Sequence, residues 1–219
     1  MMRVETLAGV AVVELLSQPA GYSRAGAAQA GLVKVDMGRP VLEPSRVPTT
    51  LIPLSAGASP AVLAVPLTVD GAEIFVSAIG MGNPHAVVGP YSDDALSTAV
   101  LDRFGPPLEV HPAFPAKTNV HFFSVLSRSR IRMLVWERGA GKTLACGTGA
   151  CASVVAAVLL GVVDREVEVA VELPGGELQL EWSGENEGGT VYMTGPATKV
   201  FSGWIDVEAA GGVAASAKL

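Results

Sequence analysis

The sequence predicts a mixed α/β (α+β) fold in which a sheet curls around one buried central helix. Three observations lead there. From Ala150 to Leu160 nearly every residue is small or apolar, and a helix that is apolar all round must be covered on every side. In 166–173 and 177–182 glutamates and a glutamine alternate with Val, Leu and Trp, the period of strands with one wet face. Finally, 25 glycines and 15 prolines in 219 residues indicate many turns between short strands rather than long helices.

Taken in order, residues 2–16 and 31–37 read as strands, because Val10, Val12 and Leu16, and then Leu32, Val33 and Val35, recur at strand spacing. An Ala/Gly-rich turn region separates them. Pro40, Pro44, Pro48 and Pro53 make 38–59 an extended connection between domains. Strands are expected at 61–68 and 73–80. A helix is expected over 92–104, capped by Ser92 or Asp93, with Leu96, Val100, Leu101 and Phe104 on one face and Gly105-Pro106-Pro107 as its stop. Strands at 119–126 and 130–136 lead through a glycine-rich turn into the central helix, about 148–160, which ends at Gly161. Pro174-Gly175-Gly176 then joins two antiparallel strands. Strands at 190–194 and 199–207 follow, and the Ala/Gly-rich tail 208–219 is expected to be disordered.

The bulk properties exclude several function classes. A net charge of −6 without a basic run argues against nucleic acid as a partner, since phosphate contacts need a basic surface. No segment approaches the roughly 18 uninterrupted apolar residues of a membrane span. The early apolar stretch Val10–Leu16 carries Glu14 and lacks the flanks of a signal peptide. Cys146 and Cys151 would stand about 7.5 Å apart along a helix axis, too far for an unstrained disulfide. Two free thiols suit a reducing cytoplasm.

Cys146 is the strongest chemical candidate. It sits just before the central helix in Leu144-Ala145-Cys146-Gly147-Thr148-Gly149, where the helix end and unpaired N–H groups favour a thiolate and can receive a carboxylate. A buried structural cysteine before a tight turn is the competing reading. Cys151, inside the apolar helix, reads as structural. Met81-Gly82-Asn83-Pro84-His85 forms a polar corner with a titratable imidazole, or a simple turn. Glu137-Arg138 ends an apolar strand and could orient an ammonium group or tune a thiol, or be a surface pair. His85, His111 and His121 show no metal-ligand spacing; His111 and His121 read as structural. No phosphate-binding glycine loop follows a strand.

Six ordered motifs carry a resemblance that covers Val4 to Val207. They are Met81-Gly82-Asn83-Pro84-His85; Phe114-Pro115 with Asn119; Glu137-Arg138-Gly139-Ala140-Gly141; Ala145-Cys146-Gly147-Thr148-Gly149-Ala150-Cys151-Ala152; Leu173-Pro174-Gly175-Gly176; and Tyr192-Met193-Thr194-Gly195-Pro196-Ala197. Together they are similar to diaminopimelate epimerase. The resemblance implies a fold of two similar domains, each a sheet around a central helix, with the site between them. It implies interconversion of LL- and meso-diaminopimelate, in lysine and cell-wall precursor biosynthesis, without pyridoxal phosphate, metal or other cofactor. Two thiols on opposite faces of the α-carbon would do the chemistry. By motif, Cys146 is the thiol of the C-terminal domain; Gly147 and Thr148 receive the reacting carboxylate. Asn83, Asn119, Glu137 and Arg138 hold the distal end of the substrate or line the pocket, and His85 and Glu137 stand near the thiols. The implied partner is a small amino-acid substrate, with a homodimer as a candidate assembly and neither nucleic acid nor membrane.

Two departures stand out. Lys142 replaces the glutamate that usually follows Gly141. The family's Asn-Asp-Phe, Asn-Ala-Asp-Gly-Ser-Glu and Cys-Gly-Asn-Gly motifs do not occur in these residues. Residues 1–37 are therefore expected to be the remnant of an N-terminal domain, 38–198 the C-terminal domain, and 199–207 a strand returning to the first. Cys151 lies beyond Cys146 in the same helix and cannot replace the opposing thiol, so little epimerisation is expected from these 219 residues alone. Two other readings compete. Proline racemases and phenazine-biosynthesis isomerase-like proteins resemble the same fold, although Glu-Arg-Gly ahead of Ala-Cys-Gly-Thr-Gly-Ala argues against both. A non-catalytic binding or interaction protein would expose apolar surface on residues 1–36.

Overall fold

The computed structural model describes residues 1–6, 9–16, 31–54, 60–184 and 188–197. The expected strand 199–207, the tail 208–219 and the turn region 17–30 lie outside the described residues. Among those described, the strands are β1 (Met2–Thr6), β2 (Gly9–Leu16), β3 (Gly31–Asp36), β4 (Val62–Val69), β5 (Ala72–Gly80), β6 (Pro84–Tyr91), β7 (Asn119–Ser127), β8 (Arg130–Glu137), β9 (Gly141–Thr143), β10 (Val169–Leu173), β11 (Gly176–Trp182) and β12 (Val191–Ala197). The helices are α1 (Thr98–Glu109) and α2 (Gly147–Leu159). The strands join one open sheet in the order β1-β2-β3-β12-β11-β10-β8-β7-β6-β5-β4, with β9 paired to β8. No helix of the described residues is long and apolar enough to cross a membrane.

As the apolar run requires, α2 is buried from Gly149 to Ala157. It packs against β5, β6 and β7 on one side and β11 and β12 on the other, so the sheet curls around it without closing. Its end is a Schellman turn: Gly161 N–H donates to Val158 O and Val162 N–H to Ala157 O, with Gly161 at φ +72°. Strand alternation divides the interior between the two faces of the sheet. Ile131, Met133 and Val135 of β8 face α2, whereas the partly buried Leu134 and Trp136 pack with Phe104 and Leu108 of α1 on the other face.

Three expectations need correction. The stretch 2–16 is a hairpin of two strands, with Met2 opposite Val13 and Thr6 opposite Gly9. The first helix begins at Ser97 rather than Ser92 or Asp93, and Gly105-Pro106-Pro107 lie inside it. Both prolines fall in its last turns, where their missing donors would have served the carbonyls of Asp102 and Arg103, two exposed residues whose oxygens water can satisfy. Gly105 is needed there because a Cβ would come within 3.0 Å of the Trp136 ring. Finally, 84–91 is a strand rather than the arm of a turn. It pairs in parallel with β7, His85 beside Asn119 and Val87 beside His121.

The β10–β11 hairpin is as the alternation requires, although β10 starts at Val169 rather than 166. On its wet face Glu172 receives Arg130 Nε at 2.7 Å and Arg132 at 2.9 Å. The β1–β2 hairpin leaves Met2, Val4 and Leu15 exposed. By register these three share one face with Ala11 and Val13.

Candidate active site

The site begins with the turn that presents Cys146. The residue has an extended backbone (φ −141°, ψ 108°) and is the N-cap of α2, its carbonyl accepting the Ala150 N–H at 2.9 Å. The preceding segment is braced by the Pro174-Gly175 turn, where Gly175 N–H donates to Leu144 O at 2.8 Å. A Cβ at Gly175 would lie 3.1 Å from that oxygen. The Leu-Pro-Gly-Gly motif thus supports the cysteine loop from a neighbouring hairpin.

The Cys146 side chain is buried but opens to its surroundings at 8% exposure, and its Sγ lies 3.6 Å from Thr148 Oγ1. Burial pushes the thiol up; hydrogen bonds from Thr148 and the Gly149 N–H pull it down, and Glu137 raises it again. The net direction is upward. The helix end alone led to the expectation of a stabilised thiolate; here desolvation and a neighbouring carboxylate outweigh it. Cys151 is fully buried within the core, its thiol raised further by the same desolvation, in keeping with a structural role.

Glu137 and Arg138 are held by α1. Glu109 Oε1 accepts the Gly139 N–H at 3.0 Å and Glu109 Oε2 accepts Trp136 Nε1 at 2.8 Å. This clamp fixes the β8–β9 turn, in which Glu137 opposes Gly141. Arg138 donates from Nη1 to Ala116 O at 2.9 Å, and its backbone N–H donates to Asn119 Oδ1 at 2.9 Å. Asn119 Nδ2 in turn donates to Pro84 O at 3.1 Å. Both ends of this buried amide therefore tie β6, β7 and β8 together. Lys142 pairs with Asp102 of α1 at 2.7 Å, so the departure at this position adds a clamp outside the site.

Two hollows adjoin at Gly82. One, of about 420 Å³, is lined by Thr148, Met81, Gly82, Asp36 and residues of β2. The other, of about 350 Å³, is lined by Gly82, Asn83, Arg138 and Arg46. At the first, the N–H groups of Gly147 and Thr148 have no acceptor within the helix, as at any helix start. The second presents two guanidiniums and an amide.

His85 is fully buried and meets two partners: its Nε2 lies 2.8 Å from Asn83 Oδ1 and its Nδ1 lies 2.8 Å from His121 Nε2. His121, read from the sequence as structural, presses against the start of α2; a Cβ on Gly149 would fall 2.2 Å from its Cε1. His111 accepts the Ala113 N–H at Nδ1, a local structural role. Sequence reasoning missed Glu109, Arg46 and the part played by His121. A glutamate ending a helix and an arginine in a turn carry no local signal of a site; a parallel strand pairing places His121 beside the second imidazole.

Burial holds both imidazoles neutral. His85 is lowered well below its ordinary value by burial, then by His121 and Arg138, and His121 is lowered to about 3 by burial. The unfolded chain, with histidines near 6.5, binds more protons than the folded one between these values. Stability from this pair is therefore full above about pH 6.5 and is lost as pH falls toward about 3. Urea unfolding at stepped pH is expected to show this decline, with a shallower slope in His121→Phe.

Comparison with known proteins gives the chain's relatives. Residues 77–200 match the family described as diaminopimelate epimerase. The chain is 45% identical over 208 residues to a diaminopimelate epimerase of Acetivibrio thermocellus, covering 95% of this chain and 67% of that protein. It is 48% identical over 201 residues to one of Nostoc punctiforme, covering 92% and 64%. The chain thus spans about two thirds of the length of the curated relatives it matches. A probable proline racemase from Agrobacterium radiobacter has the same fold, with a TM-score of 0.58 and 18% identity over 91% of this chain and 58% of that one.

Proposed function

The chain belongs to the diaminopimelate epimerase family, and from that premise we propose that Cys146 is an acid–base thiol acting at the α-carbon of diaminopimelate. The reaction is the interconversion of the LL and meso forms, without pyridoxal phosphate, in lysine and cell-wall precursor biosynthesis. The observation that carries this reading is a thiol at a helix start with Glu137 beside it.

Inversion needs a base on one face of the carbon and an acid on the other. With its thiol protonated, Cys146 is ready to donate a proton to the carbanion face it meets. In the reverse direction Glu137 is the group that can take the thiol proton, leaving thiolate to remove the α-proton. The reacting carboxylate docks on the Gly147 and Thr148 N–H groups, where unpaired donors and the helix end favour an anion. The distal carboxylate meets Arg138 and Asn83 across Gly82. Two anion-receiving ends flanking one thiol suit a substrate with a carboxylate at each end. Cys151 is sealed in the core and takes no part.

Calorimetric titration with diaminopimelate tests the reading. Arg138→Ala is expected to weaken binding by roughly 10- to 100-fold, the worth of hydrogen bonds to a charged group, while Lys142→Ala leaves it unchanged. Equal affinity in the two variants would refute it. A second reading, an interaction protein, draws on the exposed face of Met2, Val4 and Leu15. Self-association by light scattering with no diaminopimelate binding would favour it.

A further inference from the structure

We propose that His121 is a positioning residue: it fixes the proton on His85 and thereby turns the Asn83 amide so that its NH2 is the group offered to a substrate carboxylate. The proposal rests on the reading of Asn83 as a substrate-binding residue given above.

The geometry is a linear chain of three side chains. Asn83 Oδ1 lies 2.8 Å from His85 Nε2, and across that ring His85 Nδ1 lies 2.8 Å from His121 Nε2; the chain ends at His121 Nδ1, which is buried without a partner among the described residues. Two neutral imidazoles carry one proton each, so only two arrangements satisfy both contacts. In the first, His121 Nε2–H donates to His85 Nδ1, and His85 Nε2–H donates to Asn83 Oδ1. The terminal His121 Nδ1 is then a bare lone pair. In the second every donor reverses, Asn83 is flipped, and His121 Nδ1 carries an N–H buried with no acceptor.

The end of the chain decides between them. A buried N–H without an acceptor is rarer in native proteins than an under-used acceptor. His121 also lies against the first turn of α2, where a Cβ on Gly149 would be 2.8 Å from Nδ1. That turn is the positive end of the helix, which favours a lone pair over an N–H facing it. The direction set there passes through His85 to Asn83. With Oδ1 engaged, the amide has only its NH2 left, and this group makes no hydrogen bond among the described residues. Asn83 lines the same hollow as Arg138 and Arg46, so every polar group named there is a donor, the complement of a carboxylate. A flipped Asn83 would instead turn an oxygen toward the same anion.

Long-range 1H–15N spectra of the free chain with 15N-labelled histidine test the first half without any substrate. Both His85 and His121 are expected to carry the proton on Nε2; a proton on Nδ1 of either would overturn the proposal. A double-mutant cycle tests the second half. His121→Phe is expected to weaken diaminopimelate binding about 10-fold, and Asn83→Ala is expected to add little in that background. Additive losses would mean that His121 acts on the fold rather than through Asn83, and would also overturn the proposal. If diaminopimelate fails to bind the unaltered chain, the substrate reading fails, and the two tautomers still decide the orientation of the relay.

Discussion

Cys146→Ala is expected to abolish exchange of the diaminopimelate α-hydrogen with solvent deuterium, a loss of about 10²–10⁴-fold, the usual contribution of a positioned acid or base. Exchange is the informative assay because it needs only one thiol. A base on one face removes the proton from one α-configuration, the thiol proton equilibrates with water, and the same face is reprotonated. The unaltered chain should therefore label one configuration of the α-carbon in deuterium oxide. Cys151→Ala is the control. Its thiol is sealed in the core, so its removal should leave exchange unchanged while costing about 1 kcal/mol of stability through the small cavity left behind. Exchange that survives Cys146→Ala would remove this thiol from the chemistry.

Gly149→Ala should be the most damaging small substitution at the site. On an open helix surface the change would add about 1 kcal/mol of stability through helix propensity. Here the new Cβ would stand 2.2 Å from Cε1 and 2.5 Å from Nε2 of His121. The imidazole has nowhere to retreat, being fully buried and held at Nε2 by His85 at 2.8 Å. Overpacking of this kind costs about 3 kcal/mol, which outweighs the propensity gain and leaves a net loss of about 2 kcal/mol. For a chain of this size that corresponds to a fall in Tm of roughly 4–8 °C, measurable by calorimetry. Relief by moving α2 would also shift Cys146, its N-cap, so exchange should fall along with stability. A Tm equal to or above that of the unaltered chain would show that the imidazole can move aside.

Much of this architecture is legible in the chain itself. The all-apolar run that became α2 could only be a buried helix, and Gly161 marked its end. The alternating glutamates of β10 and β11 fixed which side of that hairpin faces water. The residues 81–85, 137–138 and 146–148 stood out because their types carry chemistry and interrupt apolar periodicity. Periodicity failed where two adjacent prolines looked like a stop. Pro106 and Pro107 are tolerated in α1 because the carbonyls they leave unpaired are on exposed residues, a fact of helix orientation that no local pattern contains.

By itself the sequence determined the local elements and the thiol at the start of the central helix, because helix period, strand period and turn chemistry act over a few residues. Tertiary structure alone decided what surrounds that thiol. Burial and Glu137 raise Cys146 where a helix start would lower it. The Glu109 clamp and the His85–His121 contact join residues 27 to 36 positions apart. These contacts arise from a parallel pairing of β6 with β7 and from α1 lying across β8. Such long-range juxtapositions are fixed by the burial of whole faces, and neighbouring residues in the chain carry no record of them.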